Sequence, residues 1–69
     1  MANSVYKIIE LVGTSSESWE KAAEAAVLKA STSLRDLRIA EISELDMQIK
    51  DGKVENYRAR VKVSFRYEE

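Results

Sequence analysis

The fold is decided by residues 37–69, which read LRIAEISELDMQIKDGKVENYRARVKVSFRYEE. The dipeptide Asp51-Gly52 separates two strand-like runs. It is typical of a tight β-hairpin, because both central residues of a type I′ turn need positive φ. After this turn, apolar and polar residues alternate with the period of two that marks a strand with one face in a core. The stretch therefore predicts one long hairpin whose second arm places a single set of side chains on one face: Tyr57, Ala59, Val61, Val63, Phe65 and Tyr67.

A two-residue loop sets the register of this hairpin, with Lys50 opposite Lys53 and each further pair one residue back and one residue forward. On the face under a helix, we expect the pairs Arg38 with Phe65, Ala40 with Val63, Ile42 with Val61, and Glu44 with Ala59. The opposite, outer face then carries a basic row and an apolar set, which is Ile39, Leu45, Met47, Ile49 and Val54. An exposed apolar patch on a small domain indicates a partner, so this register predicts that the chain assembles through its outer face.

The composition favours one small domain, residues 1–69, that becomes stable by assembling. The 69 residues include no His and no Cys, which excludes disulfides, thiolate chemistry and the usual zinc ligands and leaves oligomerisation as the route to stability. A net charge of −1 gives no general attraction to nucleic acid or to an anionic membrane. No apolar run approaches the roughly 20 residues that span a bilayer, and the N-terminus lacks a signal-peptide pattern. We expect a cytoplasmic protein without nucleic-acid or membrane partners.

The residues before the hairpin predict a strand followed by a helix. Residues 5–12, VYKIIELV, read as a strand that is apolar on both faces, and residues 13–16 read as the break after it. A helix is expected from about Glu17 to Leu34, and its N-cap is left open between Thr14, Ser16 and Ser18. The order β-α-β-β then predicts an α+β fold. Its three-stranded antiparallel sheet, with spatial order 1-3-2, partly wraps the one helix.

The chemistry of the side chains gives little support for an enzyme. Without His or Cys a serine nucleophile lacks its usual base, and helix capping explains the serines near residue 16. Glu44 and Asp46, two residues apart on one strand face, form a candidate carboxylate pair or a candidate site for a hard metal cation. A solvated hairpin tip is the alternative reading of these two acids. The bases of the basic row either contact phosphates of a ligand or pair with acids across the strands, as Lys62 can with Glu41. They are Arg58, Arg60, Lys62 and Arg66.

Several segments of the chain resemble the dodecin family. They are VYKIIELVGTS at 5–15, SWE at 18–20 with Ala22-Ala23, LRDLR at 34–38, DGK at 51–53, and Tyr57-Arg58 followed by VKVSF at 61–65. The resemblance covers almost the whole chain, and the order of the segments is specific. It implies a β-α-β-β subunit in a hollow homododecamer of cubic symmetry, which agrees with the assembly surface predicted above.

Dodecins are mostly known as flavin-binding and flavin-storing proteins. In the flavin-binding members a Trp early in the second strand stacks on the isoalloxazine ring, and a Gln in the third strand contacts it across a twofold axis. By motif position these places are Ile39 and Arg58 here, so the aromatic plane and the neutral amide are both replaced. The resemblance is therefore to the subgroup without the Trp, the calcium-dodecin type.

The resemblance implies a non-enzymatic homododecameric shell that binds or stores a small ligand. The ligand is FMN or riboflavin by family, and a divalent cation such as calcium by subgroup. Strong flavin binding is not expected, because Ile39 and Arg58 replace the family residues. The alternative is a purely structural or protein-interaction oligomer without a small ligand.

Overall fold

Residues 3–67 are described by a computed structural model. They form strand β1 (Tyr6–Ser15), helix α1 (Trp19–Ser31), strand β2 (Leu37–Lys50) and strand β3 (Lys53–Arg66). β3 pairs antiparallel with both other strands, so the order in the sheet is β1-β3-β2. The predicted α+β class, element order and strand order are confirmed.

The hairpin turns where the sequence predicts, at Asp51 and Gly52. Their φ angles are 54° and 74°, the positive values that a type I′ turn requires, and Lys50 pairs with Lys53. Each arm has 14 residues, or about 46 Å of strand, whereas the 13 residues of α1 span about 20 Å. The hairpin therefore extends well past the helix, and the chain is 54 Å long and only 14 Å thick.

The core lies between α1 and the β1–β3 half of the sheet. Its buried side chains are small, and they are Ala22, Ala26 and Ala30 from the helix with Ala59, Val61 and Val63 from β3. Gly13 of β1 lies so close to the helix that a Cβ built on it would come within 1.9 Å of the Ala22 carbonyl oxygen. Helix and strand thus meet almost backbone to backbone, while β2 has little contact with the helix.

The predicted end of β1 was wrong, and so were both predicted ends of the helix, which begins at Trp19 rather than about Glu17. β1 does not break at residue 13 but continues to Ser15, because Gly13, Thr14 and Ser15 pair with β3. Among the three candidate caps, Ser18 is the one that the structure uses, since its hydroxyl accepts a hydrogen bond from the Lys21 amide at 3.0 Å.

The helix also ends earlier than expected, at Ser31 rather than Leu34. The Ser31 hydroxyl donates to the Leu28 carbonyl at 2.8 Å and the Thr32 hydroxyl to the Lys29 carbonyl at 2.7 Å. Such side-chain bonds to the last turn compete with helix continuation. The Ala30 carbonyl then accepts from the amides of Ser33 and Leu34, which closes the helix.

The predicted hairpin register holds near the turn and again over residues 39–42, but it shifts by one residue between them. Irregularities lie between Leu37 and Ile39, between Ile42 and Glu44, and between Gln48 and Ile49. At the middle one, Ser43 is an extra residue on β2, and its hydroxyl donates to the Arg60 carbonyl at 3.3 Å. We call this irregularity the Ser43 bulge, because one strand gains a residue that its partner lacks.

The Ser43 bulge reverses the predicted faces of the following segment. Leu45 lies opposite Ala59, and Met47 lies opposite Tyr57, so both point to the helix side of the sheet; by alternation along β2, Ile49 follows them. Glu44 and Asp46 move to the outer face. The predicted apolar outer set was therefore wrong for Leu45, Met47 and Ile49, and for Val54, which lies opposite Ile49. It was right for Ile39, which pairs with Ser64.

Within one chain, the helix covers only one face of β1. Ile8 and Val12 are exposed, on the face away from the helix. The register also departs from the prediction at the start of β2, where Phe65 of β3 lies opposite Leu37 rather than Arg38. Among the described residues, no helix has both the length and the apolar character that crossing a membrane requires.

Candidate functional site

The outer face of the sheet, the side away from α1, carries a column of acids on β2 beside a column of bases on β3. The register places Glu41 opposite Lys62, Glu44 opposite Arg60, and Asp46 opposite Arg58. Lys62 also faces Glu10 of β1 on its other side. Opposed charges at cross-strand positions favour this register. The face is therefore charged along its length but nearly balanced in sign.

The pair formed by Asp46 and Arg58 has the best geometry in this column. The Arg58 Nε donates to Asp46 Oδ1 at 2.7 Å, and Nη2 donates to Oδ2 at 2.9 Å, in a bidentate arrangement. The hydrogen bond from Arg58 lowers the pKa of the Asp46 carboxyl, with the charges of Arg58 and Arg60 adding to the effect. The same hydrogen bond raises the pKa of the Arg58 guanidinium. Both groups are therefore ionised at neutral pH, and each is about half exposed.

The neighbouring pair is looser. Arg60 Nε lies 3.3 Å from Glu44 Oε1, and the Glu44 side chain is 69% exposed. Exposed pairs of this kind are worth about 0–1 kcal/mol, so neither pair adds much to stability. The two pairs differ in how well their geometry is fixed. The Asp46–Arg58 pair is the one that fixes a guanidinium in place.

Asp46 is also attached to the helix. The indole Nε1–H of Trp19 donates to the Asp46 carbonyl oxygen at 3.0 Å, and the Trp19 ring meets Tyr57 edge-on with centroids 5.1 Å apart. The first turn of α1 is thereby tied to the sheet at the same residue that holds Arg58. Trp19, predicted at the start of the helix, lies on the helix side of the sheet.

Ile39 lies at the other end of the outer face. It forms a row with Ser64 and Ile8, and the Ser64 hydroxyl donates to the Ile39 carbonyl at 3.4 Å. Ile39 is 66% exposed and Ile8 is 61% exposed. Ser64 is six residues from Arg58 along β3, or about 20 Å. One chain therefore puts Ile39 and Arg58 on the same face without bringing them together.

A second open surface lies on the helix side, where β2 extends past the cover of α1. We call it the helix-side groove, and it is lined by Trp19, Glu20, Ala23, Ile42 and Leu45, with a volume of about 520 Å³. Leu45 is 51% exposed and Ile42 is 45% exposed, so its apolar wall is open to solvent in a single chain.

Comparison with known proteins identifies the family. The family model for dodecin matches residues 5–68. The chain belongs to the dodecin family. The calcium dodecin of Mycobacterium tuberculosis is 44% identical over 63 residues, which cover 91% of this chain and 89% of that protein.

Solved structures agree with this assignment. The dodecin from Streptomyces coelicolor superposes with a TM-score of 0.93 at 39% identity, over 100% of this chain and 99% of that one. The crystal structure of the Mycobacterium tuberculosis calcium dodecin, described as calcium-chelating with a novel calcium-binding site, gives a TM-score of 0.83 at 45% identity, over 94% and 93% of the two chains. The resemblance to the dodecin family found from sequence motifs is therefore confirmed, and so is the resemblance to the calcium-dodecin subgroup.

In this dodecin, the residues of one chain do not by themselves fit a calcium ion. Calcium takes six to eight oxygen ligands. Within residues 3–67, no cluster of three or more His, Cys, Asp or Glu side chains could hold a metal ion. Glu44 and Asp46, the predicted ligands, each face an arginine instead. A calcium ion there would need further oxygens from other chains and would compete with the arginines.

Sequence reasoning missed the Asp46–Arg58 pair because it assumed an unbroken register. A signal was present. The outer-face bases of β3 all have even residue numbers: 58, 60 and 62. The acids of β2 are at 41, 44 and 46, so the odd–even alternation of that strand is broken between 41 and 44. Only a one-residue bulge between 41 and 44 lets all three acids oppose bases, and the structure has that bulge at Ser43.

Proposed function

We propose that this dodecin is a non-enzymatic homododecameric shell that binds and stores a small ligand between its subunits. The observation that carries the proposal is the placement of Ile39 and Arg58. They share one exposed face but lie about 20 Å apart along the strand, so a small ligand that touches both must lie between two chains. In this proposal the whole chain acts as one domain, and its cytoplasmic location is part of the hypothesis.

Calcium is the first candidate ligand. The 44% identity with a calcium dodecin supports it. The proposed ion site draws carboxylates from more than one chain, because the acids of a single chain are too few and are paired with arginines. Glu44 and Asp46 stay the predicted ligands from this chain, and binding of calcium would release Arg58 and Arg60 from them.

Flavin is the second candidate, and we expect it to bind weakly. Ile39 offers no aromatic plane, and loss of one ring-stacking contact costs about 1–3 kcal/mol. Arg58 carries a charge where flavin-binding dodecins have an amide, and it is already engaged by Asp46.

Assembly is proposed to cover the helix-side groove as well as the outer face. Leu45, Ile42 and Met47 expose about half of their surface in one chain. Burial of such side chains contributes roughly 25 cal/mol per Å² of apolar surface, which favours contact with a second copy over contact with water. The predicted role of Met47 in subunit packing is kept, but on the side of the sheet opposite to the one first expected.

The test is a pair of titrations on purified oligomer whose mass has been verified by light scattering. Calcium is followed by equilibrium dialysis, and riboflavin and FMN by quenching of their fluorescence. We expect saturable calcium binding at a fixed stoichiometry per subunit and weak flavin quenching. Glu44→Gln combined with Asp46→Asn should lower the calcium stoichiometry, whereas Glu24→Gln on the helix should not. Absence of both calcium and flavin binding contradicts the proposal and favours a structural or protein-interaction oligomer.

A further inference from the structure

The outer face holds its two paired arginines in different ways. Arg58 uses the edge formed by Nε and Nη2 to grip both oxygens of Asp46, at 2.7 and 2.9 Å. Arg60 approaches one oxygen of Glu44 at 3.3 Å. A bidentate pair is both stronger and better oriented than a single contact. Arg58 is thus the guanidinium whose orientation is set by an acid of the same chain.

The position of Asp46 is itself set by the fold. The Ser43 bulge turns Asp46 to the outer face, and the Trp19 indole holds its carbonyl oxygen at 3.0 Å. Trp19 is in turn packed on Tyr57, the residue next to Arg58 in β3. The carboxylate is therefore presented to Arg58 from an anchored backbone rather than from a free loop.

We propose that Asp46 determines the charge preference of the outer-face ligand site that includes Arg58, by neutralising Arg58 and so removing any preference for anionic ligands such as phosphate-bearing flavins. An anion that approaches Arg58 meets the negative charge of Asp46 a few ångströms away, and the best hydrogen-bonding edge of the guanidinium is occupied. This inference rests on the proposed function, because it concerns the ligand site that includes Arg58. For a flavin or another anionic ligand, Asp46 acts as a specificity-determining residue that need not touch the ligand.

The experiment compares FMN with riboflavin, which differ by one phosphate. Asp46→Ala removes the carboxylate and keeps the backbone carbonyl that binds Trp19. In the unmodified oligomer we expect the two ligands to bind with equal affinity. In Asp46→Ala we expect FMN to bind about fivefold more tightly than riboflavin, the upper range for a partly exposed charge pair. This preference should fall with added salt, because the new contact is electrostatic and half exposed.

Three further variants make the result specific. Glu24→Ala on the helix changes the net charge equally but frees no base of the outer face, and it should leave the ratio of affinities near one. Asp46→Ala combined with Arg58→Gln should return the ratio to one. If Asp46→Ala does not assemble by light scattering, Asp46→Asn keeps the size of the side chain and should give the same preference to a smaller degree.

The outcomes separate this inference from the proposed function. An unchanged ratio in Asp46→Ala overturns the inference, and so does failure of that variant to bind FMN at all. An equal gain in Glu24→Ala also overturns it, because the effect would then belong to net charge. A gain in FMN binding by Asp46→Ala supports the inference even if the unmodified oligomer binds neither calcium nor flavin, a result that contradicts the proposed function alone.

Discussion

Asp46 connects two parts of the molecule through different oxygens. Its carboxylate pairs with Arg58, and its carbonyl accepts the Trp19 indole. β2 lies at an edge of the sheet, and the bond from Trp19 goes to its backbone rather than to the Asp46 side chain. The side chain can therefore be changed without loss of the anchor to the helix.

The Asp46–Arg58 pair predicts a specific pH dependence of stability. The pKa of Asp46 is lowered in the folded chain, first by the hydrogen bond from Arg58. A carboxyl of this kind stabilises the fold fully above its unfolded pKa of about 3.9, and the contribution disappears as pH falls through the lower folded pKa. We expect the difference in melting temperature between the unmodified chain and Asp46→Asn to be constant from about pH 5 to 7 and to shrink below about pH 4.

Arg58→Gln is the matched control for that measurement, because it removes the same pair from the other side. It should reproduce the pH dependence of the Asp46→Asn difference. A difference that persists unchanged into strong acid would show that the pair is not its cause.

At the scale of elements, the fold depends on how closely β1 approaches α1. Gly13 gives that approach, since an added Cβ would overlap the Ala22 carbonyl oxygen at 1.9 Å and reach the Ala26 Cβ at 3.1 Å. The small residues on the helix face serve the same purpose, because Ala22 and Ala26 leave room for the strand.

We predict that Gly13→Ala destabilises the fold by about 2 kcal/mol or more, because the strand and helix backbones must move apart. Gly52→Ala is the matched control. It meets nothing within 4 Å but has a φ of +74°, so it should cost about 1 kcal/mol through backbone strain. Urea unfolding of both variants measures the two costs. Equal costs would contradict the close approach as the reason for Gly13.

Local sequence patterns predicted the helix and the strands well. They failed where the register or the spacing of elements depends on contacts between them. The Asp51-Gly52 turn, the alternation of β3 and the strand order follow from local sequence. The bulge at Ser43 does not, because a strand with polar residues on both faces specifies its register weakly. Hence Glu44 and Asp46 were found as acids of interest but assigned to the wrong face. Gly13 was read as a break because its small size answers a contact with Ala22 and Ala26 on the helix, which the pattern of residues along one strand does not show.

At the scale of the whole molecule, one chain buries few large side chains. Among the described residues, the large side chains that are fully buried are Val61 and Val63. Many large apolar side chains remain open, including Ile39 on the outer face and Leu45 in the helix-side groove. Folding and assembly are therefore expected to be coupled, and the melting temperature should rise with protein concentration.

Leu45→Glu tests this coupling. A charge in the helix-side groove opposes burial against a second chain, because an unpaired buried charge costs several kcal/mol. We expect a smaller mass by light scattering and a lower melting temperature. Leu28→Glu is the control, since Leu28 is a 60% exposed leucine on the helix outside the lining of the groove. An unchanged mass for Leu45→Glu would contradict the groove as an assembly surface.

The Ser43 bulge has a consequence for how this chain can evolve. Loss of one residue at that point would turn the rest of β2 over, sending two carboxylates toward the helix and three apolar side chains outward. Point substitutions along β2 alter one site each, whereas a single codon deletion would invert both surfaces together. Lineages that change the length of this strand should therefore carry a second, compensating insertion or deletion nearby, on β2 or on the facing part of β3.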